Sequence, residues 1–284
     1  MTIKCLDLMG HEAILMTADS RVSGGRIISE TSKITPIYYT FDEEGEEKVI
    51  SLALASGAGD GAIIRQMIRK VEKILVHHLT TNWSLTCPTF EQFEDAMEEA
   101  QYTFWKLFNS FRTTGNIQPQ VHLIVCGLDP SGKASMYEFD SRGVYFPIHN
   151  SPGYACLGSG LVTGGSLILR QFFNEFQVVE TSLALSAYAM NVVSKVDSTV
   201  GPFDGCSYYF RIEKDIPVLG ILNEDELFRT TKEISVRESA LKQTWMLCDS
   251  FGDEIVLTNL EKLMDELSSK STEDDSIDED VETK

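Results

Sequence analysis

Met1-Thr2-Ile3-Lys4-Cys5-Leu6-Asp7-Leu8-Met9-Gly10-His11-Glu12-Ala13-Ile14-Leu15-Met16-Thr17-Ala18-Asp19-Ser20-Arg21 sets two short apolar runs on either side of a turn. Ile3 to Leu8 and Ala13 to Thr17 read as strands around Met9-Gly10-His11-Glu12, a hairpin that returns Asp19 beside residue 2. A small second residue permits removal of Met1. The Thr2 thus exposed would carry a hydroxyl nucleophile and an amine base in one residue. Most chains that begin Met-Thr use the threonine for nothing, so the rest of the sequence has to decide.

Working outward, Arg26 to Ser29 and Lys33 to Phe41 read as short strands. The turn Asp42-Glu43-Glu44-Gly45 and the apolar strand Val49 to Ala55 follow. Asp42 to Glu47 has the charge of a calcium loop without its ligand spacing, so it reads as a solvated turn. From Gly61 to His78, Ile64, Met67, Ile68, Val71, Ile74 and Leu75 recur at three and four, which predicts an amphipathic helix. His77 and His78 close it as a cap, and no metal is assigned. Thr89 to Phe111 predicts a second helix with an aromatic stripe. Gln120 to Leu128 and Ala134 to Phe139 form a second hairpin; Gly158-Ser159-Gly160 opens a helix, Leu183 to Val196 gives another, and Cys206 to Ile212 and Ile216 to Leu222 close a pair of strands. Helices are predicted over 224–248 and 254–268. Strand runs interleaved with helix pairs point to an α+β fold, a four-layer αββα sandwich of two antiparallel sheets between helical layers with a C-terminal helical extension, rather than a parallel doubly wound sheet.

Composition bounds the function. The chain has 284 residues, 43% of them hydrophobic and 10% aromatic, enough for a sizeable core. A net charge of −19 with no Lys/Arg cluster argues against nucleic acid as a partner. Six cysteines scattered without CxxC pairing fit a reducing cytoplasm, and no window approaches a membrane span of about 20 apolar residues. The expected organisation is a core over 1–222, a helical extension over 223–268 and a disordered acidic tail over 269–284.

Four segments, in order and spacing, resemble the proteasome β-type fold of the N-terminal-nucleophile hydrolases. They are Ala18-Asp19-Ser20-Arg21 with Gly25, Ser56-Gly57-Ala58-Gly59-Asp60 as a turn before a helix, Cys126-Gly127-Leu128-Asp129 with Tyr137, Asp140 and Gly143, and Leu157-Gly158-Ser159-Gly160. The start Met-Thr and the run Val200-Gly201-Pro202 are most similar to the bacterial Anbu-like relatives of that family.

The resemblance implies a threonine peptidase that needs no cofactor, assembled as a homo-oligomeric ring or spiral and acting on peptides or on unfolded protein delivered by an unfoldase. It also implies roles for particular residues. Thr2 would be the nucleophile. Lys33, paired with Asp19, would ease deprotonation of its hydroxyl. Ser159 would hydrogen-bond near the amine, Asp197 would orient that amine, and a backbone amide at Gly25 would form the oxyanion hole. The family's serine three residues after the aspartate is Val200 here.

Each residue has a bland alternative: Asp19–Lys33 as an ordinary ion pair, Ser159 as a helix cap, Gly25 as a turn glycine. Three rival functions stay open. Cys5 is a second nucleophile if cleavage follows Lys4. Gly158-Ser159-Gly160 with Gly164, and Glu180 twenty-two residues after Gly158, imitates a dinucleotide fingerprint. A non-catalytic, proteasome-like structural subunit is the third.

Overall fold

A computed structural model describes residues 1–19, 21–24, 27–30, 33–115, 118–203, 206–214, 216–222 and 224–274, with the backbone alone at 21–24, 27–30, 224, 227–228 and 266–274. The strands are β1 (Thr2–Leu6), β2 (Glu12–Thr17), β3 (Arg21–Gly24), β4 (Ile27–Glu30), β5 (Ile34–Glu43), β6 (Glu46–Gly59), β7 (Val121–Leu128), β8 (Ala134–Phe139), β9 (Tyr145–Pro147), β10 (Tyr154–Ala155), β11 (Ser207–Glu213) and β12 (Ile216–Ile221). The helices are α1 (Gly61–Thr81), α2 (Phe90–Gly115), α3 (Ser166–Phe172), α4 (Val179–Ser194), α5 (Glu224–Phe251) and α6 (Asp253–Asp274), with a π-helical turn at Leu161–Gly165. No helix among the described residues is long and apolar enough to cross a membrane.

The fold is α+β with two five-stranded antiparallel sheets, ordered β10-β1-β2-β11-β12 and β5-β6-β7-β8-β9, plus the ribbon β3-β4. The hairpin β1-β2 forms as its sequence predicts, in the register Thr2↔Met16. Asp7 builds the turn, its Oδ1 accepting the N–H groups of Met9 and His11 at 2.8 and 2.9 Å. Four apolar clusters follow from strand alternation, two of them on the outer face of the first sheet. Ile14 and Met16 of the first sheet meet Leu54, Ile124 and Cys126 of the second. The other face of the second sheet packs Phe93, Met97, Phe104 and Phe108 of α2 against Tyr137 and Phe139. The other face of the first sheet packs Ile3, Cys5 and Leu15 against Leu169, Leu183 and Leu185.

Two boundaries differ from the sequence reading for physical reasons. Ser56 to Gly59 is not a turn: β6 continues through it, paired with β7 from Ser56↔Ile124 to Gly59↔Val121. Glycine is required there by space and backbone. A Cβ on Gly57 would lie 2.6 Å from Ile64 and 2.9 Å from the His122 carbonyl, and Gly59 has φ +111° with Gln120 O 1.8 Å from its missing Cβ. Asp60 then caps α1 by accepting from Ala62 and Ile63. Helix α4 starts four residues earlier than predicted because Ser182, Ala184 and Ser186 are buried beside its apolar residues, which erases the amphipathic stripe at its start.

The chain forms two compact units, Met1–Thr231 and Lys232–Lys284. The division falls inside α5, after the 222/223 boundary expected from sequence; Thr230, in the early turns of that helix, is buried. In the second unit Ile234 and Val256 are buried, while Trp245, Leu257 and Leu263 stay exposed. Of the expected acidic tail, 269–274 continue α6 and 275–284 lie outside the described residues.

Candidate active site

Alternation along β1 decides which residues can react. Ile3 and Cys5 point to the α3/α4 side, where they join Leu169, Leu183 and Leu185. Thr2, opposite Met16, therefore points between the sheets. There it lines a cavity of about 630 Å³, a volume suited to a ligand of several residues or a small molecule. Asp19, Lys33, Ser56, Gly57, Ser159 and Thr199 share its wall.

Lys33 stands immediately before β5, and its Nζ donates to Asp19 Oδ1 at 2.8 Å. Both side chains are mostly shielded, at 26% and 13% exposure, so the pair is screened less than a surface bridge. The second carboxylate oxygen of Asp19 accepts the Gly201 N–H at 2.9 Å, and Ser56 Oγ donates to the Lys33 carbonyl at 2.9 Å. Asp19 thus ties the end of β2 to the loop after α4, and Ser56 of β6 fixes the backbone that carries the lysine.

Ser159 lies where the chain enters the π-helical turn. Its Oγ is 2.7 Å from Thr199 Oγ1, and Thr199 Oγ1 donates to Asp197 Oδ1 at 2.6 Å. A hydroxyl has one proton, so with Thr199 donating to Asp197, Ser159 donates to Thr199 and keeps its lone pairs as acceptors. The Thr199 N–H also donates to Asp197 Oδ1, at 2.9 Å, and these bonds from Thr199 hold the Asp197 carboxyl below its usual range. Asp197 lies one hydroxyl behind the cavity wall. Val200 carries no hydroxyl; the residue before it, Thr199, makes the bonds to Asp197. The spacing Asp197-Ser198-Thr199 carries the sequence signal for this, an Asx turn in which the side chain accepts from the residue two places on.

Met1 occupies the strand position ahead of Thr2. Its amine donates to the Thr17 carbonyl at 2.6 Å, and the Thr17 N–H donates to the Met1 carbonyl at 2.8 Å. Burial lowers the pKa of this amine. While Met1 is attached, the Thr2 nitrogen is a peptide nitrogen and no base.

The other expected positions fall elsewhere. In the uncleaved chain Cys5 is fully buried, its thiol donates to the Ala13 carbonyl, and burial pushes its pKa up to about 12, an environment that suppresses the thiolate. Gly25 lies outside the described residues. His78 lies within 2.9 Å of a Glu99 carboxylate oxygen and 3.0 Å of the Asn82 amide, and it stacks on Trp83, a structural knot joining α1 to α2. Gly158-Ser159-Gly160 follows β10, which pairs antiparallel with β1, whereas a dinucleotide fingerprint opens a parallel βαβ unit. No protein-family model and no curated protein sequence matches the chain.

Proposed function

We propose that this chain is a threonine-type amidohydrolase, acting as a peptidase through Thr2, in the four-layer αββα sandwich of the proteasome β-type N-terminal-nucleophile hydrolases. The observation that carries this reading is the convergence on one cavity of Thr2, a lysine held by Asp19, and Ser159 bridged to Asp197.

Cleavage of the Met1–Thr2 bond turns the Thr2 nitrogen into an amine. That amine takes the Oγ1 proton, directly or through water, as Oγ1 adds to the substrate carbonyl. The Lys33 ammonium, kept in place by Asp19, lowers the cost of negative charge on the attacking oxygen. Ser159 Oγ, with its proton committed to Thr199, accepts from the Thr2 amine and orients it. Collapse of the tetrahedral adduct expels the leaving amine, which carries away the proton from Thr2, and leaves an ester on Oγ1. Water, deprotonated by the same amine, hydrolyses the ester and restores the hydroxyl. Val162, Leu167 and Phe172 are exposed on the π-helical turn and α3, which supports assembly into the homo-oligomeric ring or spiral of such enzymes.

The test is intact mass before and after incubation with a peptide vinyl sulfone or a β-lactone. A free Thr2 terminus that gains one adduct at Thr2, with turnover lost in Thr2→Ala, is the expected result. A free Thr2 that never labels, or turnover retained in Thr2→Ala, excludes the mechanism.

One observation favours a second reading, a non-catalytic structural subunit. Met1 is built into the sheet by two backbone hydrogen bonds, and its side chain packs beside Cys156 and Gly165. A mass that retains Met1 in the folded protein selects this reading.

A further inference from the structure

We propose that Arg65 makes the cavity select substrates with an acidic side chain immediately before the bond to be cut; the inference rests on the hydrolase reading above. Gly61, Ile64, Arg65 and Ile68 line the cavity at the three- and four-residue spacing of one face of α1. Ile64 and Ile68 are buried, and Arg65 is the one charged residue of the four.

Among the described residues, three charged side chains line the cavity: Asp19, Lys33 and Arg65. Asp19 and Lys33 neutralise each other at 2.8 Å, which leaves Arg65 as the unbalanced charged side chain among these three. Its Nε donates to the Gly61 carbonyl at 3.3 Å, one bond to its own helical turn that steadies the side chain. Of the five guanidinium N–H groups this uses one, and both terminal nitrogens remain able to donate. No carboxylate among the described residues lies within ion-pair distance of Arg65, although the chain holds 43 Asp and Glu against 24 Lys and Arg. An apolar wall beside an unpaired guanidinium fork suits a glutamate-like side chain, whose methylenes lie on Ile64 and Ile68 while its carboxylate takes two parallel N–H bonds.

The experiment compares two fluorogenic tripeptide amides, identical except for Glu or Gln before the cleaved bond, on protein with Thr2 as its measured N-terminus. In parallel, equilibrium binding of both peptides is measured on Thr2→Ala. The Glu peptide is expected to be favoured about fivefold, or about 1 kcal/mol, since the exposed guanidinium is partly screened by water. The ratio should fall to about one in Arg65→Gln and survive in part in Arg65→Lys, which keeps the charge without the fork. A ratio at or below one in the unaltered site, an unchanged ratio in Arg65→Gln, or no binding of either peptide overturns the proposal. A Glu preference in binding without turnover sustains the role of Arg65 and sinks the hydrolase reading; turnover without the preference does the reverse.

Discussion

On the face of the first sheet turned toward the second, Thr2 meets a cavity lined by an ion pair and hydroxyls. On the face turned toward α3 and α4, Cys5, three residues along the same strand, meets Leu15, Val179 and Leu183. By intrinsic chemistry the cysteine is the stronger nucleophile, since a free thiol ionises far more readily than a hydroxyl. The environments differ: the thiol is sealed in apolar packing and its ionisation suppressed, while Thr2 lines a cavity with a lysine held by a carboxylate, which in the proposed mechanism reverses the order. In the proposed reading the same alternation assigns the two faces different work, one holding chemistry and the other holding the sheet to its helices.

If the division is real, substitutions on the two faces should act on different observables. The largest effect is expected from Lys33→Ala on the cavity face. The rate of acylation at Thr2 should fall by about 10²–10³-fold with the circular dichroism spectrum nearly unchanged, and with a drop in unfolding midpoint from the Asp19 charge left unpaired that is smaller than the loss from a core truncation. A rate within threefold of the parent would remove Lys33 from the reaction.

Leu15→Ala, on the helix face, should do the opposite. Its side chain is fully buried, so truncation should cost about 2–5 kcal/mol in denaturant unfolding, and Thr2 should still label in the folded fraction. Equal effects of both substitutions on labelling and on stability would break the comparison.

Thr199→Val should lower acylation by about tenfold by cutting the hydroxyl chain from Ser159 to Asp197, and Thr199→Ser should restore it. Rescue by serine but not valine separates the hydroxyl from simple shape.

The smallest effect belongs to Cys5→Ala, expected to cost about 1 kcal/mol or less at neutral pH. Its signature is alkaline. Burial pushes the native Cys5 thiol up to about 12, whereas an unfolded thiol ionises near its usual value of about 9. Above that value the unfolded state binds fewer protons, so stability falls as pH rises from 9 toward 12. Cys87, also pushed up to about 12 by burial, adds to the same fall. Removing Cys5 should flatten that slope in urea titrations between these pH values; an unaltered slope would mean that the helix face is less sealed than its packing indicates.

Much of the frame was legible before folding. The apolar runs around Met9 to Glu12 specify the β1-β2 hairpin, and the three-and-four spacing from Ile64 to Leu75 specifies the buried face of α1. Where small residues served packing, the local signal misled. Gly57 and Gly59 look like turn residues, and they extend β6 because α1 and the chain at Gln120 approach too closely for any side chain. Thr199 carries a readable Asx-turn spacing after Asp197, while the position three residues after that aspartate is Val200, which has no hydroxyl.

The sequence by itself determined the residue types, the alternation that sends Thr2 and Cys5 to opposite faces, and the turn that returns Asp19 toward Thr2, because side-chain direction along a strand and turn chemistry are local properties of a few residues. Only the tertiary structure decided that Asp19 binds Gly201 across 182 residues of chain, that Thr199 relays Asp197 to Ser159, that Met1 is locked against Thr17, and that Arg65 joins the cavity wall. Those contacts depend on how two sheets and four helices pack, and close packing across long separations leaves no periodic trace in the sequence that makes them.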